Sequence, residues 1–176
     1  MAAVSLIIGA ARSGKSRHAE ASVRAIGGQP IYVATARAYD DEMRARIVHH
    51  RTQRGAGWRT VEEPIDLVGA LDRSDGQGPR LVECLTLWLS NLLLDGRDWC
   101  GPADALLDAL DRQRSPVVLV ANEVGWDPVP DNALARAFVD AQGAVAQRIA
   151  ARAETVVYVV AGVALPVKGP TAATPA

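Results

Sequence analysis

The chain has little of what marks several protein classes. Aromatic residues make up only 5% of its 176 residues, which excludes a core built on large rings. Burial must instead come mostly from Ala, Val and Leu, a mixture that suits helices packed on buried strands. Two cysteines, Cys84 and Cys100, are too few for a disulfide framework and read as reduced core thiols. Nineteen Lys and Arg stand against twenty Asp and Glu, the net charge is −1, and no long basic run is present. That balance lacks the electrostatic footprint of a nucleic-acid binder. The apolar run from Val4 to Ala11 is far shorter than the ~20 residues a membrane-spanning helix needs, and no basic leader or cleavage pattern accompanies it. The expectation is a cytoplasmic protein with no membrane span. Histidine is scarce as well: there are three, and two of them, His49 and His50, are adjacent.

What is present is a hydrophobic content of 49%, which excludes overall disorder, and a length that fits one domain. Five short runs rich in Val and Ile read as buried parallel strands: "VSLII" (4–8), "PIYVA" (30–34), "RLVEC" (80–84), "VVLVA" (117–121) and "TVVYVVAG" (155–162). Helical patterns fall between them, at 15–26, 40–53, from near Pro64, and at 86–94, 102–114 and 131–153. Strand alternating with helix predicts a doubly wound α/β fold with a mostly parallel sheet and helices on both faces. "SDGQGP" (74–79) reads as a surface loop. A single domain is expected over residues 1–165, followed by a disordered tail, 166–176.

"GAARSGKS", Gly9 to Ser16, fits G-x-x-x-x-G-K-[ST] and lies directly between a strand and a helix. Glycines let the backbone wrap an anion with its N–H groups inward, and the following helix adds its positive end. In such a loop Lys15 meets the β- and γ-phosphates and the Ser16 hydroxyl meets Mg²⁺. Glu83, at the end of "RLVEC", reads as the second acid such a metal site needs, because a carboxylate at a buried strand tip is costly unless paired or near a metal; the alternative is a strand that ends early and leaves Glu83 in solvent. Asn122 and Glu123 occupy the equivalent tip of strand 117–121. Two readings of Asn122 stand, a sensor of phosphate or water and a loop cap.

The segment 40–63 opens with Asp40 and Asp41, which favour a helix start, and Gly55 and Gly57 favour its end. On that helix Met43, Ile47 and His50 share a face, while His49 points about 100° away. His50 therefore reads as the packed member of the pair and His49 as the freer one. Neighbours on a helix diverge, so the pair is a poor metal site.

With these stretches in hand, "GAARSGKSRHAE" (9–20), "YVATARAYDDEMRARIVHHR" (32–51), "WRTVEEP" (58–64), "LVECLTLWLSNLL" (81–93), "NEVG" (122–125) and "VPDNALARAFVDAQG" (129–143), the chain resembles the bifunctional adenosylcobinamide kinase/adenosylcobinamide-phosphate guanylyltransferases of cobalamin biosynthesis. The resemblance covers nearly the whole chain and implies a P-loop NTPase-type fold, Mg²⁺, and ATP and GTP as substrates. It implies phosphorylation of adenosylcobinamide by ATP or GTP. GMP transfer from GTP to adenosylcobinamide phosphate then follows through a GMP–histidine on His49. It also implies nucleotide contacts from Gly9, Ala10, Ala11, Arg12, Ser13, Gly14, Lys15 and Ser16, from Ala34, Thr35 and Ala36, from His50, Arg51, Thr52 and Gln53, and from Glu62 and Glu83. Ser16 and Glu83 would hold the metal, and the assembly would be a homotrimer. Trp88 and Leu92 read either as core or as interface, and Arg12 and Arg51 either as charge stabilisers or as solvated surface. No residue is singled out as base for the kinase step. Departures from the family pattern are Ala10, where a second glycine is common, Thr52 and Gln53, the stretch Trp126-Asp127-Pro128, and Ala146. Two rivals remain: a plain small-molecule kinase in which His49 is idle, and a nucleotide-gated switch without turnover.

Overall fold

The computed structural model describes residues 2–126 and 128–169. In chain order the elements are β1 (Val4–Gly9), α1 (Lys15–Ile26), β2 (Ile31–Ala34), α2 (Asp41–Arg54), β3 (Arg59–Glu62), α3 (Leu67–Ser74), β4 (Arg80–Glu83), α4 (Leu85–Leu94), α5 (Cys100–Arg112), β5 (Val117–Asn122), α6 (Ala133–Arg152), β6 (Thr155–Val160) and β7 (Val163–Lys168). The strands form one seven-stranded sheet in the order β3-β2-β4-β5-β1-β6-β7. Every pairing is parallel except β6 with β7.

Successive strand residues point to opposite faces, and the five expected strands are apolar on both. Leu6, Val33, Val82, Leu119 and Val156 meet the apolar faces of helices α3 to α6 on one side. Ile7, Tyr32, Leu81, Val120 and Val157 meet Ala19 and Val23 of α1 on the other. Helix α4 is apolar nearly all round because it is sandwiched between the sheet and its neighbours. Trp88 and Leu92, 1% and 0% exposed, belong to that core and not to an interface.

The two edge strands are where sequence and structure part. β3, "RTVE", has only two half-buried apolar-facing positions between charged ends, so it carries no apolar run. β7 runs on through Pro166 to Lys168, past the point where a disordered tail is expected. Its exposed edge tolerates a proline that a central strand would not. A tight turn joins it to β6, with Ala161 and Gly162 both at positive φ (50° and 81°), the twist a two-residue hairpin favours. Residues 170–176 of the expected tail, and Asp127, lie outside the described residues.

Helix α3 begins at Leu67, later than Pro64 suggests. Glu63 Oε1 first accepts from the N–H groups of Ile65 and Asp66, closing a turn, and Asp66 then caps the helix by accepting from Gly69 N–H at 2.9 Å. Cys84 is a buried free thiol as expected, whereas Cys100 is exposed. The Asp98 carboxylate accepts from Cys100 and Gly101 N–H groups and holds this first turn of α5 beyond the core.

Candidate active site

Parallel strands deliver their carboxyl ends to one edge of the sheet, and that edge collects most of the expected site residues. Register makes the collection explicit. Gly9 lies opposite Asn122, and Ala34 lies opposite both Glu62 of β3 and Glu83 of β4.

The phosphate loop leaves β1 at Gly9 and closes on α1, whose N-cap is Gly14 at φ 94°. Arg12, exposed, also takes a positive φ of 59°. The loop is held from within and behind. Ser13 N–H donates to Ala10 O at 3.2 Å, and Gly162 N–H in the β6–β7 turn donates to Ser13 O at 2.8 Å. Gly9 is obligatory for this fit, because a Cβ there would lie 2.4 Å from Val159 O and 2.6 Å from Ser13 Oγ. Gly9→Ala is expected to cost about 1–3 kcal/mol of stability through overpacking, read as a lowered urea midpoint, together with weakened nucleotide binding.

Lys15 is buried and curls back so that Nζ donates to Ala10 O at 3.2 Å. Ser16 Oγ donates to Glu83 Oε1 at 2.9 Å. The other carboxylate oxygen, Oε2, is buried without a partner among the described residues. Burial pushes the Glu83 carboxyl up to about 7, against the pull of the Ser16 hydrogen bond and the Lys15 charge. A hydroxyl and a half-satisfied carboxylate beside the phosphate loop form a donor set that suits a hard divalent cation with oxygen ligands.

Thr35 ties β2 to β4 at the same edge. Its N–H donates to Glu83 O at 3.1 Å, its hydroxyl donates to Cys84 O at 2.8 Å, and it accepts from Cys84 N–H at 2.8 Å. Asn91 of α4, buried among leucines, donates to Thr35 O and Pro64 O and accepts from Tyr39 OH at 3.0 Å. Arg37 makes a two-pronged pair with Asp95 at 2.7 and 2.8 Å. Together these bonds fasten the 35–39 segment that leads into α2. The sequence signal for Asn91 was only a polar residue inside "LTLWLSNLL", which does not reveal a role.

Helix α2 starts as expected, with Asp40 accepting from Met43 N–H at 2.7 Å, and ends at Gly55. It touches the body mainly at its last residue. Arg54, 6% exposed, stacks on the Tyr32 ring at 3.6 Å and donates to Thr60 Oγ1 at 2.9 Å. Met43 and Ile47 are half-buried, whereas His49 and His50 are both exposed, so His50 is not the packed residue its helix face suggests: Met43 and Ile47 lean on the body and the last turn carries the ring outward. His50 is held below the ordinary imidazole range, first by partial burial and then by the charges of Arg46, His49, Lys15 and Arg54. Lys15 among those charges links the histidine end of α2 to the phosphate loop. Arg51, Thr52 and Gln53 lie exposed on the last turn, and the Thr52 hydroxyl is already donating to Val48 O at 3.0 Å.

At the tip of β5, Asn122 N–H donates to Thr86 Oγ1 at 2.7 Å, while Glu123 N–H donates to Gly9 O at 3.1 Å and Glu123 Oε1 accepts from Gly125 N–H at 2.8 Å. Glu123, rather than the Asn122 side chain, closes the turn here. Among the described residues no helix is long and apolar enough to cross a membrane, and no cluster of three or more His, Cys, Asp or Glu is placed to hold a metal.

Solved structures share this architecture. The flagellar accessory protein FlaH of Methanocaldococcus jannaschii superposes with a TM-score of 0.56 at 11% identity, over 95% of this chain and 78% of that one. The RadB recombinase superposes with a TM-score of 0.51 at 14% identity, over 89% and 73%. At such identities the likeness shows the fold alone, the P-loop NTPase type. Relatives in sequence say more. The bifunctional adenosylcobalamin biosynthesis protein CobP of Pseudomonas aeruginosa is 48% identical over 168 residues, 93% of this chain and 96% of the relative. The bifunctional adenosylcobalamin biosynthesis proteins CobU of Salmonella typhimurium and Escherichia coli are each 42% identical, over 93% of this chain and 98% of the relative. The family model described as cobinamide kinase / cobinamide phosphate guanyltransferase matches residues 5–167, nearly all of the sheet with its phosphate loop and histidine helix, and to that family the chain belongs.

Proposed function

We propose that this enzyme phosphorylates the terminal hydroxyl of the aminopropanol arm of adenosylcobinamide with ATP or GTP. It then moves GMP from GTP through His49 to adenosylcobinamide phosphate, giving adenosylcobinamide-GDP. The observation that carries this reading is the meeting, at one sheet edge, of a phosphate loop, the Ser16–Glu83 pair and a helix bearing an exposed imidazole. We assign the nucleotide to residues 9–16, 34–36 and 50–53 with Glu62 and Glu83.

The backbone N–H groups of the loop and the α1 N-terminus take the phosphates. Lys15 Nζ exchanges Ala10 O for phosphate oxygens and offsets charge as it develops. Charge neutralisation between phosphate groups is what Mg²⁺ would supply, held by Ser16 Oγ and the Glu83 carboxylate. In the guanylyl half-reaction an imidazole nitrogen of His49 bonds to the α-phosphorus of GTP, and the bond to the β-phosphate oxygen breaks, releasing pyrophosphate. A phosphate oxygen of the acceptor then takes the GMP as the P–N bond breaks, which frees the imidazole. Exposure of His49 suits this two-step role, since the ring must meet a nucleotide and then a bulky corrinoid.

The family resemblance further implies action in the cytoplasm as a homotrimer. The exposed apolar side chains of edge strand β7, Val163, Leu165 and Val167, give such an assembly surface to bury.

Isotope placement tests the reading. Protein incubated with GTP labelled at the α-phosphate is expected to retain label through gel filtration, and protein incubated with γ-labelled GTP is not. Label retained from neither, with adenosylcobinamide still phosphorylated, would reduce the enzyme to a plain kinase.

A further inference from the structure

Beside the phosphate loop, between the carboxyl end of β5 and α6, lies a cleft with room of about 60 Å³, enough for about two water molecules or one small planar group. Its apolar walls are Ile8, Val124, Val139 and Ala146. Its polar lining is Asn122, Glu123 and Gln142. The cleft adjoins the reacting end of a nucleotide held in the loop, because Ile8 immediately precedes Gly9 and Glu123 N–H donates to Gly9 O.

Gln142 is 3% exposed, yet its amide is only half used. Nε2 reaches Asn122 O at 3.4 Å, a long contact, and Oε1 is buried with no partner among the described residues. A carbonyl can only accept, so the amide nitrogen must face Asn122 O and the free atom must be the oxygen. An unmet buried acceptor costs stability in the free protein and is satisfied only by an incoming N–H or O–H. The Glu123 carboxylate disfavours an anion, and the aliphatic walls favour short hydrocarbon. The occupant is therefore neutral, carries a hydrogen-bond donor and has a small aliphatic body.

We infer that this cleft is the acceptor subsite, in which Gln142 Oε1 accepts a hydrogen bond from an amide N–H on a short aliphatic arm of the corrinoid. The inference rests on the reading above that cobinamide is the acceptor. Two arms of such a molecule carry this chemistry, the amide-linked hydroxypropyl arm and a peripheral carboxamide.

The test is equilibrium binding of adenosylcobinamide to the full-length protein by calorimetry, without nucleotide, for wild type and Gln142→Leu. The expected result is roughly tenfold weaker binding by the variant, unchanged affinity for a non-hydrolysable GTP analogue, and a thermal midpoint in the free variant no lower than wild type. Gly143→Ala is a second variant. Gly143 lines the cleft, and a Cβ there meets nothing within 4 Å among the described residues, so the added methyl fits the fold; it too is expected to weaken acceptor binding. Competition by N-acetyl-1-amino-2-propanol but not propionamide seats the hydroxyl-bearing arm, and the reverse seats a carboxamide; either supports the subsite. Gln142→Leu that binds adenosylcobinamide as tightly as wild type, or that loses several degrees of thermal stability, overturns it. Product formation by wild type is scored separately. Binding that depends on Gln142 without turnover sinks the proposed function and leaves the subsite standing, and turnover with Gln142-independent binding does the opposite.

Discussion

His49→Ala is expected to abolish covalent capture of GMP and to lower guanylyl transfer by 10³-fold or more, while phosphorylation of adenosylcobinamide stays within about twofold of wild type. The separation follows from the layout. The phosphate loop, Lys15, Ser16 and Glu83 belong to β1, α1 and β4, all anchored in the core, whereas His49 sits exposed on α2, which is tied to the body chiefly through the Arg54 side chain at its C-terminal end. Removing an exposed imidazole from that helix leaves the loop's own bonds untouched. Intact-mass measurement after GTP and Mg²⁺ reads the adduct directly, and product analysis with each nucleotide reads the two half-reactions. His50→Ala is the contrasting variant. That ring is partly desolvated and feels the Lys15 charge, so its loss is expected to weaken nucleotide binding without removing the adduct. A His49→Ala protein that still gains a GMP mass would move the nucleophile elsewhere.

The division of labour explains why so little of α2 is buried. A nucleophile that serves two large partners in turn cannot be packed away, so the helix is stabilised locally instead. Asp40 caps it, Asp41 and Glu42 sit at its positive end, and Arg51 and Arg54 sit at its negative end. Those are sequence-local devices, which is why the helix was legible within one or two residues at each end. The five central strands were legible for a different reason: covered on both faces, they are apolar at most positions rather than alternating. The edge strands escaped because neither face is fully covered. β3 reads as charged, and β7 carries a proline in what looks like a tail.

The same distinction divides the site. Gly9 to Ser16 and Glu83 announce themselves, since an anion-binding loop and a carboxylate at an apolar strand's end are costly features with few uses. Asn91, Arg54 and Gln142 do not. Each is one polar residue within a helix, and its meaning depends on what the fold brings opposite: Thr35 O, the Tyr32 ring, or an empty cleft wall. Cys100 shows the converse error, a residue type usually buried that stands exposed on the first turn of α5, where its N–H donates to the Asp98 carboxylate.

Glu83→Gln is expected to disable the enzyme and stabilise the metal-free protein at once. The carboxylate has one oxygen on Ser16 and one buried with no partner among the described residues, an arrangement that makes sense only when something cationic completes it. Without that cation, burial raises the carboxyl from 4.5 to about 7. The sign follows from linkage. The folded state holds the proton more tightly than the unfolded chain, so stability declines as pH rises from about 4.5 and levels off above about 7. The size of that decline is on the order of 3 kcal/mol. A glutamine keeps the neutral shape at every pH and escapes the decline. In chelator-treated protein at pH 8, the variant's urea midpoint is therefore expected to exceed that of wild type, and the gap is expected to close by about pH 4.5. Both half-reactions are expected to fall roughly 10²–10³-fold, because the phosphates lose the charge neutralisation that a carboxylate-held cation supplies. Equal midpoints at pH 8, or full activity in the variant, would mean that Glu83 is an ordinary solvated acid and that the phosphate site is completed elsewhere.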